Sequence, residues 1–225
     1  MNNRILNWEG CNNVRDLGGL QASDGRMTHP GVIVRSDTPA RLTAAGWSAL
    51  YDYGIRTIIT LRTHGMTEDE LNFTSPYPDI VNIQAEIEDI TNLEFVEKWV
   101  NTSFWGTPLY FRDTLQRWPQ RHAAVFSAIA RAQPGGVLFH CIRGHDRTGI
   151  ISLLLLGFAG VLPDEIIADY ELSVDPVREK VLARENTSVR ESILGTLDGF
   201  DFDGYLRMGG PTQDDLDAVR ARFLG

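Results

Sequence analysis

The chain has 225 residues, of which 43% are hydrophobic, and it carries a formal net charge of −9. This length and composition can bury one sizeable core, and no linker-like stretch divides the chain, so we expect a single domain over residues 1–225. The negative charge repels nucleic acid and anionic membranes. We therefore expect no nucleic-acid partner and no stable membrane association.

Hydrophobic periodicity predicts strands that alternate with helices. Strands are predicted at residues 31–35, 56–61, 80–83 and 136–139. Helices are predicted at residues 43–53 and 148–160 and from residue 163, with helical periodicity also over 93–132 and a final helix through residue 223. This alternation favours an α/β fold with a central, largely parallel sheet flanked by helices.

The predicted helical segment contains a dense group of aromatic side chains. They are Phe95, Trp99, Phe104, Trp105, Tyr110, Phe111 and Trp118. Aromatic residues at helical spacing usually pack in a core, which is the first interpretation. The alternative is a helical lid-like insertion over residues 88–120 that shields a functional pocket from water.

The segment from His140 to Gly149 connects the predicted strand at residues 136–139 to the next predicted helix. A helix N-terminus exposes unpaired backbone N–H groups and the positive end of the helix dipole, which together attract anions. Gly144 lets the loop curl, and Arg147 adds a guanidinium suited to two phosphate oxygens. We expect a phosphate-binding loop whose contacts come from Ile142, Arg143, Gly144, His145, Asp146 and Arg147.

Cys141 is the predicted nucleophile, and Arg147 is expected to stabilise the charge on the phosphoryl oxygens. A thiol at a helix N-terminus beside a cation ionises readily, so we expect a thiolate aligned for attack on phosphorus. Asp146 is the first candidate for the general acid, with Asp89 and Asp113 in reserve. Such a cycle needs no metal and no organic cofactor.

Two neighbours of the loop are expected to support it. His140 orients the loop through hydrogen bonds rather than acting as a base, because adjacent strand residues point to opposite faces. Thr148 either caps the helix or offers its hydroxyl to the thiolate, and both roles stay open.

Cys141, followed after five residues by Arg147-Thr148-Gly149, resembles the signature loop of cysteine-dependent protein tyrosine phosphatases. Asp146 makes the loop similar to that of bacterial tyrosine/serine phosphatases with added lipid phosphatase activity, and distantly to that of myotubularins. Further stretches similar to the bacterial family are Asn13 to Gly19, Asp24 to Arg26, Arg35-Ser36 and Asp169-Tyr170. The resemblance covers residues 8–175. It implies a cysteine-phosphatase-like fold and phosphomonoester hydrolysis through a phosphocysteine intermediate.

Two positions depart from the pattern of the family that the chain resembles. His145 stands where the family usually has a lysine that is associated with extra phosphates on inositol lipids, which argues against lipid phosphatase activity. Thr60 stands where an aspartate commonly precedes a Leu-Arg pair, which excludes an acid role for that position.

The leading expectation is a protein tyrosine phosphatase, with dual specificity left open. A small phosphorylated metabolite or a phosphoinositide is the alternative substrate, and the acidic composition favours the metabolite. Sulfurtransferases match the end of the loop poorly, and arsenate reductases need resolving thiols where only Cys11 is available. A non-catalytic phosphate-binding module is disfavoured because a nucleophile, an arginine and an acid are all present.

The sequence says less about the cellular compartment and the oligomeric state of the protein. Only Cys11 and Cys141 are present, and a reactive thiolate argues against a disulfide between them. The first residues lack the apolar stretch of a signal peptide, and residues 148–160 are too few to span a bilayer. We expect a cytoplasmic location, and the oligomeric state stays open.

Overall fold

The structure, a computed structural model, describes residues 4–224. One sheet contains the strands β1 (Arg15–Asp16), β2 (Ile33–Ser36), β3 (Ile55–His64), β4 (Val81–Asp89) and β5 (Gly136–His140). Their spatial order is β1-β2-β5-β3-β4, with an antiparallel pairing between β1 and β2 and parallel pairings elsewhere. The predicted α/β fold with a largely parallel central sheet is confirmed.

Helices connect and cover the strands. Before β5 these are α1 (Ala44–Asp52), α2 (Leu93–Phe95), α3 (Phe111–Arg117) and α4 (Pro119–Ala130). After β5 these are α5 (Asp146–Phe158), α6 (Pro163–Glu171), α7 (Pro176–Arg184), α8 (Val189–Leu197), α9 (Phe202–Met208) and α10 (Gln213–Leu224). No helix in residues 4–224 combines the length and the apolar character needed to cross a membrane.

The two faces of the sheet pack against different parts of the chain. Val137 and Phe139 belong to the larger hydrophobic cluster, which includes residues of α4 and α5, whereas Leu138 belongs to a smaller cluster with residues of α1. Alternate residues of a strand point to opposite faces, so β5 is covered on both sides. Its carboxyl end opens into the loop that precedes α5.

The main differences from the predicted boundaries occur at β4 and α5. β4 extends to Asp89, whereas the predicted strand ends at residue 83. It is an edge strand in which exposed polar residues alternate with Ile83, Ala85 and Ile87, so no continuous apolar run marks its second half. α5 begins at Asp146, two residues before the predicted start. Its N-cap is His145, whose side chain makes no capping hydrogen bond, so the sequence lacks the usual signal for a helix start there.

Candidate active site

A cleft of about 210 Å³ opens at the carboxyl end of β5, over Cys141. Cys141 is only 1% exposed and lies at its base. Apolar and glycine residues form one part of the wall: Met66, Trp105, Gly106 and Ile142. The charged part of the wall contains Glu68, Arg143, Asp146 and Arg147.

The backbone of the loop after Cys141 is rich in free donors. No backbone N–H of residues 142–147 donates a hydrogen bond to any residue within 4–224, and the first bond into α5 runs from the N–H of Gly149 to the carbonyl of His145. Unbonded N–H groups at a helix start form an anion site, and the helix dipole adds to their positive potential. The loop therefore has the unbonded donors that an anion site needs, and phosphate binding by these residues stays a prediction.

Gly144 is required for this curvature. Its φ is +69°, and a Cβ at this position would lie 2.5 Å from the backbone oxygen of Ser36. A side chain would therefore clash with β2 as well as strain the backbone.

Two fixed acceptors hold the Arg147 guanidinium beside the loop. Arg147 is 6% exposed, and its Nη1 donates to the carbonyl of Leu61 at 3.0 Å and forms an ion pair with Glu68 Oε1 at 2.6 Å. Burial opposes the charged form of this guanidinium, but the negative charges of Cys141, Glu88, Asp146 and Glu68 hold its pKa above the usual value. The guanidinium thus stays positive and oriented at the cleft.

Glu88 is a fully buried carboxyl behind the cleft. Its Oε1 accepts a 2.7 Å hydrogen bond from the Tyr110 hydroxyl, and Oε2 accepts a longer one of 3.4 Å from Thr63. Burial raises the pKa of Glu88 to about 7; the positive charge of Arg147 opposes this shift, and the negative charge of Asp146 adds to it.

The predicted reserve acids do not line the cleft. Asp89 pairs with Arg121 at 2.9 Å and accepts hydrogen bonds from Thr91. Asp113 pairs with Lys98 and Arg117. Surrounding donors and cations hold the pKa of each carboxyl below its usual value despite some burial. Of the three acids weighed from the sequence, the structure places only Asp146 at the cleft.

His140 lies under the loop and is fully buried. Its Nε2 is 2.9 Å from the hydroxyl of Thr60, and its Nδ1 is 3.2 Å from the carbonyl oxygen of Cys141. Burial lowers the pKa of His140 to about 3, so the ring is neutral. Its contact with the Cys141 carbonyl is compatible with the predicted role of orienting the loop. Thr60, where the family commonly has an aspartate, serves as its partner.

Thr148 fills neither of its two expected roles in this structure. The N-cap of α5 is His145, so Thr148 does not cap the helix. Its buried hydroxyl has no hydrogen-bond partner among residues 4–224, and that includes the sulfur of Cys141.

Arg143 lines the cleft, whereas His145 does not, and both side chains lie near Asp175. The Arg143 side chain is 56% exposed and pairs with Asp175 at 3.0 Å, and His145 Nδ1 lies 3.6 Å from the same carboxylate. Burial lowers the pKa of His145 to about 4, with Arg143 and Arg178 adding to the shift. At neutral pH this histidine is uncharged and cannot replace the positive charge of a lysine.

A buried ionic cluster supports the loop from behind. Asp169 pairs with Arg4, Arg15 and Arg35 at 2.7–3.0 Å. Burial alone would raise the pKa of Asp169, but the three guanidinium groups hold it well below its usual range. Arg35 Nη2 donates to the carbonyl of Gly144 at 2.8 Å. Three of the stretches that carried the family resemblance therefore meet beneath the loop, through Arg15, Arg35 and Asp169. The fourth, Asp24 to Arg26, lies apart from this cluster, and its Asp24 and Arg26 side chains pair with each other.

Asn13 completes this support. Its Nδ2 donates to the carbonyl oxygens of Arg143 and Gly144 at 3.1 and 3.0 Å. Two loop carbonyls are thus held by Asn13, while the N–H groups of residues 142–147 make no hydrogen bond to any of residues 4–224.

The aromatic segment contributes to both the core and the cleft. Phe95, Tyr110 and Phe111 are fully buried in the larger cluster, which agrees with the core interpretation. Trp105 lines the cleft beside Gly106, which agrees with the shielding part of the lid interpretation. Movement of residues 88–120 stays a prediction.

Sequence reasoning missed two carboxyls. Glu68 comes from an irregular segment after β3, where no periodicity marks a functional position. Glu88 lies in a strand whose alternation predicts exposure on the same face as Glu86. The position of Glu88 shortly before the aromatic segment is a weak indication of a role in the site.

Comparison with known proteins identifies the family. A sequence model described as the tyrosine phosphatase family matches residues 6–225. The chain belongs to this family. The loop around Cys141 and the stretches that support it lie within the matched range.

Three curated relatives agree with this assignment. A protein of Cupriavidus necator with the provisional name tyrosine-protein phosphatase is 30% identical over 73% of this chain and 61% of its own length. A tyrosine-protein phosphatase of Nostoc commune is 33% identical over 62% of this chain and 47% of its own length. The triple specificity protein phosphatase PtpB of Mycobacterium tuberculosis is 28% identical over 75% of this chain and 68% of its own length. The chain thus spans less than two thirds of the length of the first two relatives.

Proposed function

We propose that the protein is a cysteine-dependent phosphomonoester hydrolase that acts on phosphotyrosyl protein. One observation carries the proposal: Cys141 and Arg147 line the same cleft, and the N–H groups of residues 142–147, which follow Cys141 directly, make no hydrogen bond to any of residues 4–224. An anion held there lies over a nucleophile, and its equatorial oxygens face donors that stabilise charge in the transition state.

In the first half of the proposed cycle, the thiolate of Cys141 attacks phosphorus. A sulfur–phosphorus bond forms, the bond from phosphorus to the leaving oxygen breaks, and Asp146 donates its proton to that oxygen. Asp146 fits this role because it lines the cleft and begins α5, directly after the loop that is proposed to bind the phosphate.

In the second half, water attacks the phosphocysteine. The Asp146 carboxylate accepts a proton from the water, the sulfur–phosphorus bond breaks, and inorganic phosphate leaves with the thiolate restored. Glu68 keeps Arg147 oriented in both halves through their ion pair. No step in this cycle draws on a metal or an organic cofactor.

The wall of the cleft supports an aryl phosphate as the substrate. Met66, Trp105 and Ile142 offer apolar surface above the sulfur, against which the ring of phosphotyrosine can pack. A lipid with additional phosphates is disfavoured because His145 is uncharged at neutral pH. Dual specificity towards phosphoserine remains compatible with the chemistry.

We also propose that the protein works in the cytoplasm as one domain. Cys11 and Cys141 are both free thiols, and a nucleophilic thiol persists best in a reducing compartment.

Replacing the sulfur tests the proposal. Cys141→Ser should abolish hydrolysis of p-nitrophenyl phosphate while it preserves binding of an oxyanion such as tungstate, because the loop N–H groups and Arg147 remain. Cys11→Ser is the matched control, since Cys11 hydrogen-bonds to the carbonyl of Thr38 and does not line the cleft. Near-full activity of Cys141→Ser, measured by release of p-nitrophenol, would reject the proposal.

A further inference from the structure

A second pocket lies directly beside the cleft. It measures about 440 Å³ and is lined by Asn12, Arg41, Arg143, His145, Leu172 and Val174, among others. We call it the Arg41 pocket. Arg143 lines both cavities, so the Arg41 pocket adjoins the cleft over Cys141.

The accessible charge in the Arg41 pocket is positive. Arg41 is exposed and makes no ion pair or side-chain hydrogen bond with any of residues 4–224, and the Arg143 side chain is 56% exposed. The two carboxylates nearby are buried: Asp37 is 3% exposed and accepts the N–H groups of Asn12 and Asn13, and Asp175 is 7% exposed. A positive exposed surface is unusual in a chain whose net charge is −9.

The rim of the Arg41 pocket is apolar. Leu172 and Val174 follow α6 and are 45% and 67% exposed. Their aliphatic surface, beside a positively charged pocket, can pack against an apolar side chain of a bound polypeptide.

We propose that the Arg41 pocket binds the polypeptide that flanks the phosphotyrosine, with an acidic residue of the substrate at Arg41 and its neighbouring side chain against Leu172 and Val174. This inference rests on the proposed function, since it names a subsite for the same reaction. A small phosphorylated metabolite would fill the cleft alone and leave the Arg41 pocket without a role.

The test uses a series of phosphotyrosyl peptides, each with a single glutamate at a different position on either side of the phosphotyrosine. For each position, kcat/KM is compared with that of the peptide that has glutamine there. The wild-type protein should prefer glutamate at one position. Arg41→Ala should reduce the ratio of the two kcat/KM values there by roughly three- to fivefold, as expected for an exposed ion pair. Higher ionic strength should also reduce the preference in the wild-type protein.

Arg207→Ala is the matched control, because Arg207 of α9 is also exposed and lines neither cavity. It should leave the ratio unchanged. Equal kcat/KM for glutamate and glutamine peptides at every position, or a full preference retained in Arg41→Ala, would overturn the inference. Either result can coexist with hydrolysis of p-nitrophenyl phosphate that depends on Cys141, so failure of the subsite is distinguishable from failure of the proposed function.

Discussion

Among single residues, the two carboxyls that line the cleft have different surroundings. Glu68 is 2% exposed; one of its carboxylate oxygens pairs with Arg147, and the other accepts a hydrogen bond from the N–H of Thr63. The Glu68 carboxylate could not turn without breaking both contacts. Asp146 is partly exposed at the start of α5 and makes no ion pair with any of residues 4–224. A carboxyl that makes no ion pair can turn towards a leaving group, whereas one bonded to both an arginine and a backbone N–H is held in place. This contrast assigns the proposed acid role to Asp146.

Replacement of this acid should affect substrates unequally. Asp146→Asn should slow hydrolysis of phenyl phosphate by roughly 10²- to 10⁴-fold, because phenolate is a poor leaving group that needs a proton. Hydrolysis of p-nitrophenyl phosphate should slow much less, since p-nitrophenolate leaves without one. The measurement is kcat for both esters.

Asp113→Asn and Asp89→Asn are suitable controls, since neither residue lines the cleft. Equal slowing of both esters by Asp146→Asn would move the acid role to another group, and Glu68 is the carboxyl that the cleft offers.

At the scale of elements, a β-bulge in β4 determines where Glu88 points. Arg62 of β3 pairs with Glu86 and the next residue, Thr63, pairs with Glu88, so Ile87 is the extra residue of the bulge. Both Ile87 and Glu88 are therefore turned inward, although simple alternation would leave Glu88 exposed. Bulges next to functional sites commonly redirect a side chain in this way.

The inward position of Glu88 makes stability depend on pH. Burial raises the pKa of Glu88 from its ordinary value of 4.5 to about 7, so the ionised carboxyl destabilises the folded state. The destabilisation grows as the pH rises from 4.5, the ordinary pKa, to about 7, the pKa in the folded state, and it is constant above about pH 7. Glu88→Gln mimics the protonated form. Its free energy of unfolding relative to wild type should rise by roughly 2–3 kcal/mol between about pH 5 and about pH 8.

Urea denaturation at the two pH values measures this difference. Glu70→Gln, at an exposed glutamate, controls for the general effect of removing one negative charge. A constant difference between Glu88→Gln and wild type across the pH range would mean that Glu88 is not held protonated by its surroundings.

The elements also explain which parts of the site were predictable. The strand-loop-helix around Cys141 is local in sequence, so periodicity and Gly144 sufficed to predict an anion-binding loop. Glu68 and Glu88 reach the site through an irregular segment and a bulge, and neither feature leaves a periodic signal. The start of α5 was misplaced for a related reason: a loop whose N–H groups remain free for an anion lacks the side-chain cap by which a helix start is recognised.

At the scale of the whole molecule, the topology brings distant segments to one edge of the sheet. β5 and β3 are parallel neighbours, so Cys141 after β5 lies near Leu61 and Glu68 from β3 and its following segment. Residues near the chain start, in β2 and in α6 meet as the buried cluster of Arg15, Arg35 and Asp169. The sequence predicted the parallel sheet, but the convergence of these charges depends on long-range packing that no local pattern encodes.

This arrangement gives the loop a rigid support with a free inner surface. Asn13 and Arg35 bind loop carbonyls from behind, while the N–H groups of residues 142–147 stay unbonded in front. A pre-organised set of donors needs no rearrangement when negative charge develops on the phosphoryl oxygens. The proposed cycle therefore requires a covalent bond between phosphorus and the sulfur of Cys141.

Trapping that bond is the most direct measurement. Wild-type protein mixed with p-nitrophenyl phosphate and quenched by rapid denaturation should yield, by mass spectrometry, a peptide that carries one phosphoryl group on Cys141, while Cys141→Ser should yield none. Phosphate attached to a different residue, or equal incorporation into Cys141→Ser, would contradict the account.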